Sequence, residues 1–184
     1  MHVTNKRVAA AQQTRAKLIE TGLVLAEELG LEGLSVNAVV AGAGVSKGTF
    51  FHHFPDRVSY LVALHRRFHD VLFDEVMSII CDMQPGNDRL AAAATTYLNG
   101  CLRDRGVKAL LLEARGHLPI ADEVTRRNRM SVDVVAADFE ALGSPHPREA
   151  ARLWIAATAE CALMERERGR RDPAARSALN ALVD

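Results

Sequence analysis

Apolar residues recur every three or four positions along nearly the whole chain. Within residues 8–29, Leu18, Leu25 and Leu29 follow the 3.6-residue period that is typical of an amphipathic helix. Gly30 then interrupts the pattern, as glycines commonly do at helix ends. The spacing therefore predicts a first helix over residues 8–29.

The rest of the chain continues in the same way, with glycine, proline and serine residues separating the apolar segments. These residues are typical of helix ends and starts, so we predict further helices at each uninterrupted segment. The predicted ranges are 36–43, 47–53, 56–80, 89–105, 107–117, 120–142, 147–168 and 173–183. No alternation of polar and apolar residues indicates a strand.

About nine helices predict an all-α protein of two parts. Residues 1–55 are predicted to form a three-helix module, and residues 56–184 a larger helical body. We expect one long helix over residues 56–80 to join the module to the body.

The composition is that of an ordinary globular protein. The chain has 23 Lys and Arg residues against 23 Asp and Glu residues, and 48% of its residues are hydrophobic. The longest apolar run, from Leu153 to Met164, is interrupted by Glu160 and is too short to span a membrane. Three widely spaced cysteines and the lack of an apolar export signal favour a cytoplasmic protein.

The balanced total hides a cationic start. Lys6, Arg7, Arg15 and Lys17 precede Glu20, which is the first acidic residue of the chain. Such a segment is typical of an arm that binds phosphate, although a solvated basic end would give the same pattern.

The most informative segment, residues 35–57, has the sequence SVNAVVAGAGVSKGTFFHHFPDR. It predicts two short helices joined by a tight turn at Gly44, because glycine adopts positive φ without steric cost. Val45 is expected to fill the space between the helices, and Phe50 and Phe54 to point inward. A helix-turn-helix presents its second helix to the major groove of DNA.

This segment resembles the TetR family of transcriptional repressors. The matching residues are Thr14-Arg15, Ser35-Val36, the run Ala43-Gly44-Val45-Ser46-Lys47-Gly48-Thr49, Phe54, Pro55 and Arg57. The resemblance extends over residues 14–65, and the remaining residues are similar to the family only in being helical. It implies a homodimer that binds a palindromic operator in double-stranded DNA and releases it when a small molecule binds. No catalytic residue, cofactor or metal is expected.

The candidate DNA-binding residues lie on the second short helix and beside it. They are Asn37, Ser46, Lys47, Gly48, Thr49, Phe51, His52, His53 and Arg57. We expect Lys47, Thr49 and His53 at base edges. Arg57 and Asn37 are candidates for phosphate contacts. The family usually has tyrosine where this chain has Phe51, so the resemblance implies that one phosphate-binding hydroxyl is absent.

The candidate ligand-binding residues are predicted to lie in the helical body. They combine apolar side chains with a few polar groups, as small-molecule pockets do. The set is Phe73, Met77, Tyr97, Cys101, Arg115, Met130, Trp154 and Thr158. The alternative for Tyr97, Cys101, Met130 and Trp154 is a plain apolar core.

The last two predicted helices have the character of a dimer interface. Residues 147–168 contain alanines that permit close helix approach, and residues 173–183 contain an apolar stripe that includes Leu179 and Leu182. Pairing two such hairpins would form a symmetric four-helix interface in a homodimer.

Two other functions are compatible with parts of the sequence. The segment Gly42–Gly48 is rich in glycine, as phosphate-binding loops are, which would suggest a nucleotide-binding enzyme. The third glycine of G-x-G-x-x-G is absent, however, and Lys47 does not stand in the order Gly-Lys-Ser/Thr. An all-α protein-interaction module is the second alternative.

Two clusters of charged or polar residues have ordinary explanations. His65 and His69 are four residues apart, which is a spacing that can hold a metal, but a polar face between the two predicted parts explains them more simply. Arg126, Arg127 and Arg129 predict a solvated basic face.

Overall fold

A computed structural model of the chain describes residues 2–104, 107 and 118–183. Over these residues it has eight helices and no strand, which confirms the all-α prediction. The helices are α1 (His2–Gly33), α2 (Val36–Ala43), α3 (Lys47–His53), α4 (Arg57–Ile80), α5 (Asn87–Arg103), α6 (Leu118–Ala141), α7 (Pro147–Arg168) and α8 (Pro173–Asn180). Apart from Val107, the helix predicted over 107–117 lies outside the described residues.

Several helix ends differ from the predicted ones. α1 begins at His2, before its apolar period starts, and is kinked at Gly30, which has a φ of 65°. Pro119 was predicted to separate two helices, but it lies in the first turn of α6. Proline is tolerated there because it lacks only the amide hydrogen, and a backbone N–H in the first turn has no acceptor within the helix. None of the described helices is long and apolar enough to cross a membrane.

Contacts between residues divide the described chain into two compact units. Unit 1 consists of the described residues up to Phe68 and those within 106–121, and unit 2 consists of those within 69–105 and 122–184. The first part of α4 therefore belongs to the same unit as α1, α2 and α3, and it contacts α1 and α3 directly. The predicted division into a DNA-binding part, residues 1–55, and a ligand-binding part, residues 56–184, stays a prediction.

The core of unit 1 is built around Tyr60 of α4, which is only 2% exposed. Its ring centroid lies 5.0 Å from that of Phe50 and 4.9 Å from that of Phe54. Its hydroxyl donates a hydrogen bond of 2.7 Å to the backbone carbonyl of Leu18 in α1. Burial raises the pKa of the Tyr60 phenol, so the group stays a donor.

Gly22 makes room for this hydroxyl on the surface of α1. A Cβ atom at position 22 would lie 1.9 Å from Oη of Tyr60 and 3.0 Å from Cδ2 of Leu64. A real Cβ cannot approach an oxygen that closely, so any larger residue would displace the tyrosine. The close approach of α1 and α4 therefore depends on glycine at this position.

Two buried ion pairs hold unit 2 together. Asp138 of α6 is fully buried and accepts hydrogen bonds of 2.7 and 2.8 Å from Arg89 of α5. Glu165 of α7, also fully buried, accepts hydrogen bonds of 2.6 and 2.8 Å from Arg176 of α8. Each pair joins two helices by directional hydrogen bonds, which fixes their relative orientation more tightly than apolar contact alone.

The Glu165 carboxylate has further donors around it. It accepts a hydrogen bond of 2.9 Å from the backbone nitrogen of Asp172, and Arg176 also donates one of 2.9 Å to Asn99 of α5. Burial opposes ionisation of Glu165, but the donors from Arg176 and Asp172 outweigh it and hold the pKa of this carboxyl below its ordinary value. The carboxyl is therefore ionised in the folded protein at neutral pH.

We expect the substitution Gly22→Ala to destabilise the protein by about 1–3 kcal/mol, because overpacking against Tyr60 exceeds the gain in helix propensity of about 0.5–1 kcal/mol. Urea unfolding followed by circular dichroism measures this. The double substitution Gly22→Ala/Tyr60→Phe should recover part of the loss, since the closest atom is removed. Gly48→Ala is the control, because a Cβ there would lie 3.7 Å from Ser46 Oγ, an ordinary contact. Equal stability of wild type and Gly22→Ala would contradict the packing argument.

We expect Glu165→Gln to destabilise the protein by about 3–5 kcal/mol at pH 7, because it leaves Arg176 without its buried counter-charge. Since the folded-state pKa is depressed, the stabilisation is complete above the unfolded value of about 4.3 and is lost as the pH falls through the folded value. The gap in unfolding free energy between wild type and variant should therefore narrow below about pH 4.

The exposed pair of Arg148 and Asp133, at 2.6 Å, offers a matched control for burial. Both side chains are more than half exposed, so Asp133→Asn should change stability by only about 0–1 kcal/mol. If Glu165→Gln and Asp133→Asn changed the free energy of unfolding equally, burial would add nothing to the contribution of the Glu165 pair.

Candidate nucleic-acid interface

The turn between α2 and α3 has the geometry that the sequence predicts. Gly44 lies in the left-handed region, with φ 62° and ψ 39°, and its backbone nitrogen donates to the carbonyls that end α2. The hydroxyl of Ser35 caps α2 and that of Ser46 caps α3, each accepting a backbone hydrogen bond of 3.1 Å. These caps satisfy backbone donors that a helix start leaves unpaired, and so they fix the angle between the two helices.

Buried and exposed residues alternate around α3. Phe50 is 0% exposed and Phe54, just after the helix, is 1% exposed, which confirms that both point into the core of unit 1. The opposite side of the helix carries Lys47, Gly48, Phe51 and His52, all exposed, while Thr49 and His53 are half-buried. A short helix held by two aromatic side chains thus presents its polar side to solvent.

All nine residues predicted to contact DNA lie in unit 1. Asn37 is exposed on α2. Ser46 and Thr49 have a structural role as well, because their hydroxyl oxygens are 2.9 Å apart and hydrogen bonded to each other at the start of α3. Their hydroxyls are therefore already oriented by the cap.

Arg57 makes a contact that the sequence does not predict. Its Nε and Nη2 atoms each lie 3.4 Å from the carbonyl oxygen of Leu34, to which they donate. The side chain thus joins the start of α4 to the segment between α1 and α2. Arg57 is nevertheless exposed to solvent. Its contact with a DNA phosphate stays a prediction, in addition to the structural role of the bond to Leu34.

Arg15 and His53 are close to each other beside α3. The guanidinium of Arg15 lies 5.0 Å from the centre of the Phe54 ring, which is a cation–π arrangement. Burial, together with the positive charges of His52 and Arg15, lowers the pKa of His53. The lowered pKa favours the neutral form of His53, which can both donate and accept a hydrogen bond. Arg15 is not among the predicted DNA-binding residues, although the pair Thr14-Arg15 is part of the resemblance to the family.

A cavity of about 740 Å³ opens beside these residues within unit 1. Arg15, His53, Val62, Arg66 and Pro119 contribute to its lining, and none of the predicted ligand-binding residues does. The sequence pattern did not predict this cavity, because its lining comes from three separate segments of the chain.

The predicted ligand-binding residues that the structure describes all lie in unit 2, and Arg115 lies outside the described residues. Cys101, Trp154 and Thr158 are buried, and the other four, Phe73, Met77, Tyr97 and Met130, are half-buried. The Trp154 ring packs 6.5 Å from that of Phe139, and the Thr158 hydroxyl donates to the Trp154 carbonyl at 2.9 Å. These contacts are those of a helix-packing core, and the ligand assignment stays a prediction.

The prediction of a solvated face at Arg126, Arg127 and Arg129 is wrong for Arg127. Arg127 is 9% exposed and pairs with Glu123 at 3.3 Å and with Asp70. Residue type alone could not distinguish this buried arginine from its exposed neighbours.

The structure also bears on the two histidines with metal-ligand spacing. His65 is 2% exposed and His69 is half-buried. In the part of the chain that the structure describes, no group of three His, Cys, Asp or Glu side chains is placed to hold a metal ion. The arrangement gives no support to a metal site at this pair.

Comparison with known sequences places this module in a family. The family described as bacterial regulatory proteins, tetR family, matches residues 18–64. The HTH-type transcriptional regulator CymR of Pseudomonas putida is 30% identical over 78 residues, covering 42% of this chain and 38% of CymR. The HTH-type transcriptional repressor KstR2 of Rhodococcus jostii (strain RHA1) is 24% identical over 119 residues, covering 65% of this chain and 58% of KstR2. The chain thus matches less than two thirds of each relative's length.

Solved structures share the fold over nearly the whole chain. A transcriptional regulator from Rhodococcus sp. Rha1 has a TM-score of 0.77 at 23% identity, covering 92% of this chain and 93% of that one. The multidrug binding protein EbrR, complexed with imidazole, has a TM-score of 0.76 at 22% identity, covering 92% and 94%.

A capped helix-turn-helix with an exposed polar second helix, in an all-α chain, defines the class of helix-turn-helix regulatory proteins. The match to the tetR family of bacterial regulatory proteins covers residues 18–64 of this chain, and the two relatives named above are described as transcriptional regulators of the helix-turn-helix type. The alternative of a nucleotide-binding loop at Gly42–Gly48 is wrong. These residues end α2, form the left-handed turn and begin α3, and no strand precedes them in the described residues.

Proposed function

We propose that this protein is a sequence-specific DNA-binding regulator of transcription that uses α3 as its recognition helix. The observation that supports this proposal is the position of α3, whose Phe50 and Phe54 are buried while Lys47 and His52 remain exposed on its other side. A helix held in this way can enter the major groove without losing its contacts to the module. The names of CymR and KstR2, which describe a transcriptional regulator and a repressor, agree with this function.

The DNA-binding form is a homodimer in this proposal. A dimer contacts two half-sites one DNA turn apart, which gives a palindromic operator. The candidate interface is the exposed side of α7 and α8, where Leu153 is 72% exposed and Met164 37% exposed. In this proposal the exposed apolar side chains of α7 are buried against the same helix of a second chain. The small alanines of α7 permit close approach of a second helix.

The third part of the proposal is release by a small, largely apolar molecule. The candidate site is in unit 2, around the described residues Cys101, Trp154 and Thr158. Two structural neighbours of low identity were crystallised with small ring compounds, EbrR with imidazole and RolR with resorcinol. α4 carries residues of both units, so a change in its position on ligand binding would also act on the module that contains α3.

Selection of bound duplexes from a random library with the purified protein tests the DNA-binding proposal. We expect a palindromic consensus. On that sequence, Lys47→Ala should change the preferred base at one position of each half-site, with a loss of about 1–3 kcal/mol for the original base. Arg57→Ala should instead weaken binding to all sequences and reduce the slope of log K against log salt by about one.

Arg129→Ala, which removes an exposed charge from unit 2, is the control and should leave the consensus and the salt slope unchanged. If the protein selects no sequence, the protein-interaction alternative is favoured. If Lys47→Ala and Arg57→Ala have binding profiles identical to wild type, the assignment of residues is wrong even though DNA binding stands.

For the effector, we expect small aromatic compounds, with resorcinol as the first probe, to change the fluorescence of Trp154, the single tryptophan. Compounds that bind should lower operator affinity by roughly 5–150-fold, and the operator should lower their affinity by the same factor. Trp154→Phe is the control, because it preserves an aromatic ring beside Phe139 and removes the emission. Ligand binding with unchanged operator affinity would contradict the release mechanism.

A further inference from the structure

Residues 6–17 of α1 precede the part of the helix that packs in unit 1. The first buried side chains of α1 are Leu18 and Ile19, and every side chain from Lys6 to Lys17 is exposed or half-exposed. These twelve residues span about 18 Å, and the family match begins only at residue 18. A helix of this length without packing is marginal in water, so a binding partner would stabilise it.

The charge of this extension indicates an anionic partner. Lys6, Arg7, Arg15 and Lys17 are its charged residues, and no acidic residue occurs before Glu20. Anionic membranes and nucleic acids are both possible partners by charge, but a helix that lies on a membrane needs a broad apolar face in addition to its basic residues. Val8 is the one large apolar residue between positions 6 and 17, so a nucleic-acid backbone matches this surface better than a lipid bilayer does.

The positions of these charges relate the extension to the recognition helix. Lys6 and Lys17 are eleven residues apart, which is three helical turns with an offset of about 20°, so they share one face of α1. Ala10 and Gln13 lie between them on the same face. The Nζ atom of Lys17 is 4.0 Å from the position that a Cβ would have at Gly44, in the turn before α3.

The same face of α1 contacts the end of α2 one turn later. Cγ2 of Thr21 is 2.9 Å from the position that a Cβ would have at Gly42. The face of α1 that carries Lys6 is therefore the face that contacts the helix-turn-helix through Lys17 and Thr21. Residues 6–17 extend this face beyond the helix-turn-helix.

We propose that the face formed by Lys6, Ala10, Gln13 and Lys17 binds the phosphate backbone of duplex DNA that flanks the base pairs contacted by α3. This inference rests on the proposed DNA-binding function. Lysines on an exposed helix face contact backbone phosphates without regard to sequence. The extension thus lengthens the bound DNA segment and adds affinity that depends on salt.

Two duplexes test the proposal, one limited to the selected consensus and one with six extra base pairs of arbitrary sequence on each side. Wild type should bind the longer duplex more tightly and with a steeper dependence on salt. We expect Lys6→Ala to abolish most of this difference, reducing the salt slope by about one for each bound copy of the chain. Fluorescence anisotropy over a series of KCl concentrations measures both quantities.

Two charge-matched variants separate a specific face from a general effect of charge. Lys6→Ala/Ala10→Lys returns the lysine to the same face, whereas Lys6→Ala/Gln12→Lys places it about 120–140° around the helix from Lys6 and Lys17. The first should restore binding to the longer duplex and the second should not. All three variants change exposed positions, so circular dichroism should show an unchanged fold.

The outcomes distinguish this inference from the function on which it rests. If wild type binds the consensus but Lys6→Ala behaves like wild type on both duplexes, the inference is overturned and the DNA-binding proposal stands. Equal restoration by the Ala10→Lys and Gln12→Lys variants would also overturn it, because the face would then have no role. If wild type binds neither duplex, both proposals fall.

Discussion

The hydrogen bond from Tyr60 to the carbonyl of Leu18 is the contact on which the geometry of unit 1 depends. It requires α4 to approach α1 at Gly22, where no side chain stands between the two helices. The same ring packs against Phe50 and Phe54, so the position of α3 follows from the position of Tyr60. The side of α3 that is exposed therefore depends on a buried residue of a different helix.

Local features of the chain predicted much of this arrangement. The left-handed turn at Gly44 and the burial of Phe50 follow from residue type and spacing, because few residues tolerate positive φ and aromatic residues at helical spacing point inward. The contact between Gly22 and Tyr60 was not predictable, since it joins residues that are distant in the sequence.

Charged residues were the hardest to place from sequence. Arg127 and Arg129 are two positions apart on α6, yet one is buried between two carboxylates and the other is exposed. Arg57 is predicted to contact a phosphate, whereas its Nε and Nη2 donors are directed to the Leu34 carbonyl. A long cationic side chain can satisfy its donors at many sites, so its partner depends on tertiary structure that periodicity does not contain.

The ion pair between Glu165 and Arg176 also affects how α8 can detach from α7. Gradual fraying of a helix usually exposes one apolar residue at a time, but release of α8 would leave a buried carboxylate without its counter-charge. Partial opening is therefore disfavoured relative to either the docked or the fully released state. A protease that cleaves only unfolded segments would therefore not cut α7 or α8 until the whole hairpin opens. The amide hydrogens of the two helices would likewise exchange with solvent together.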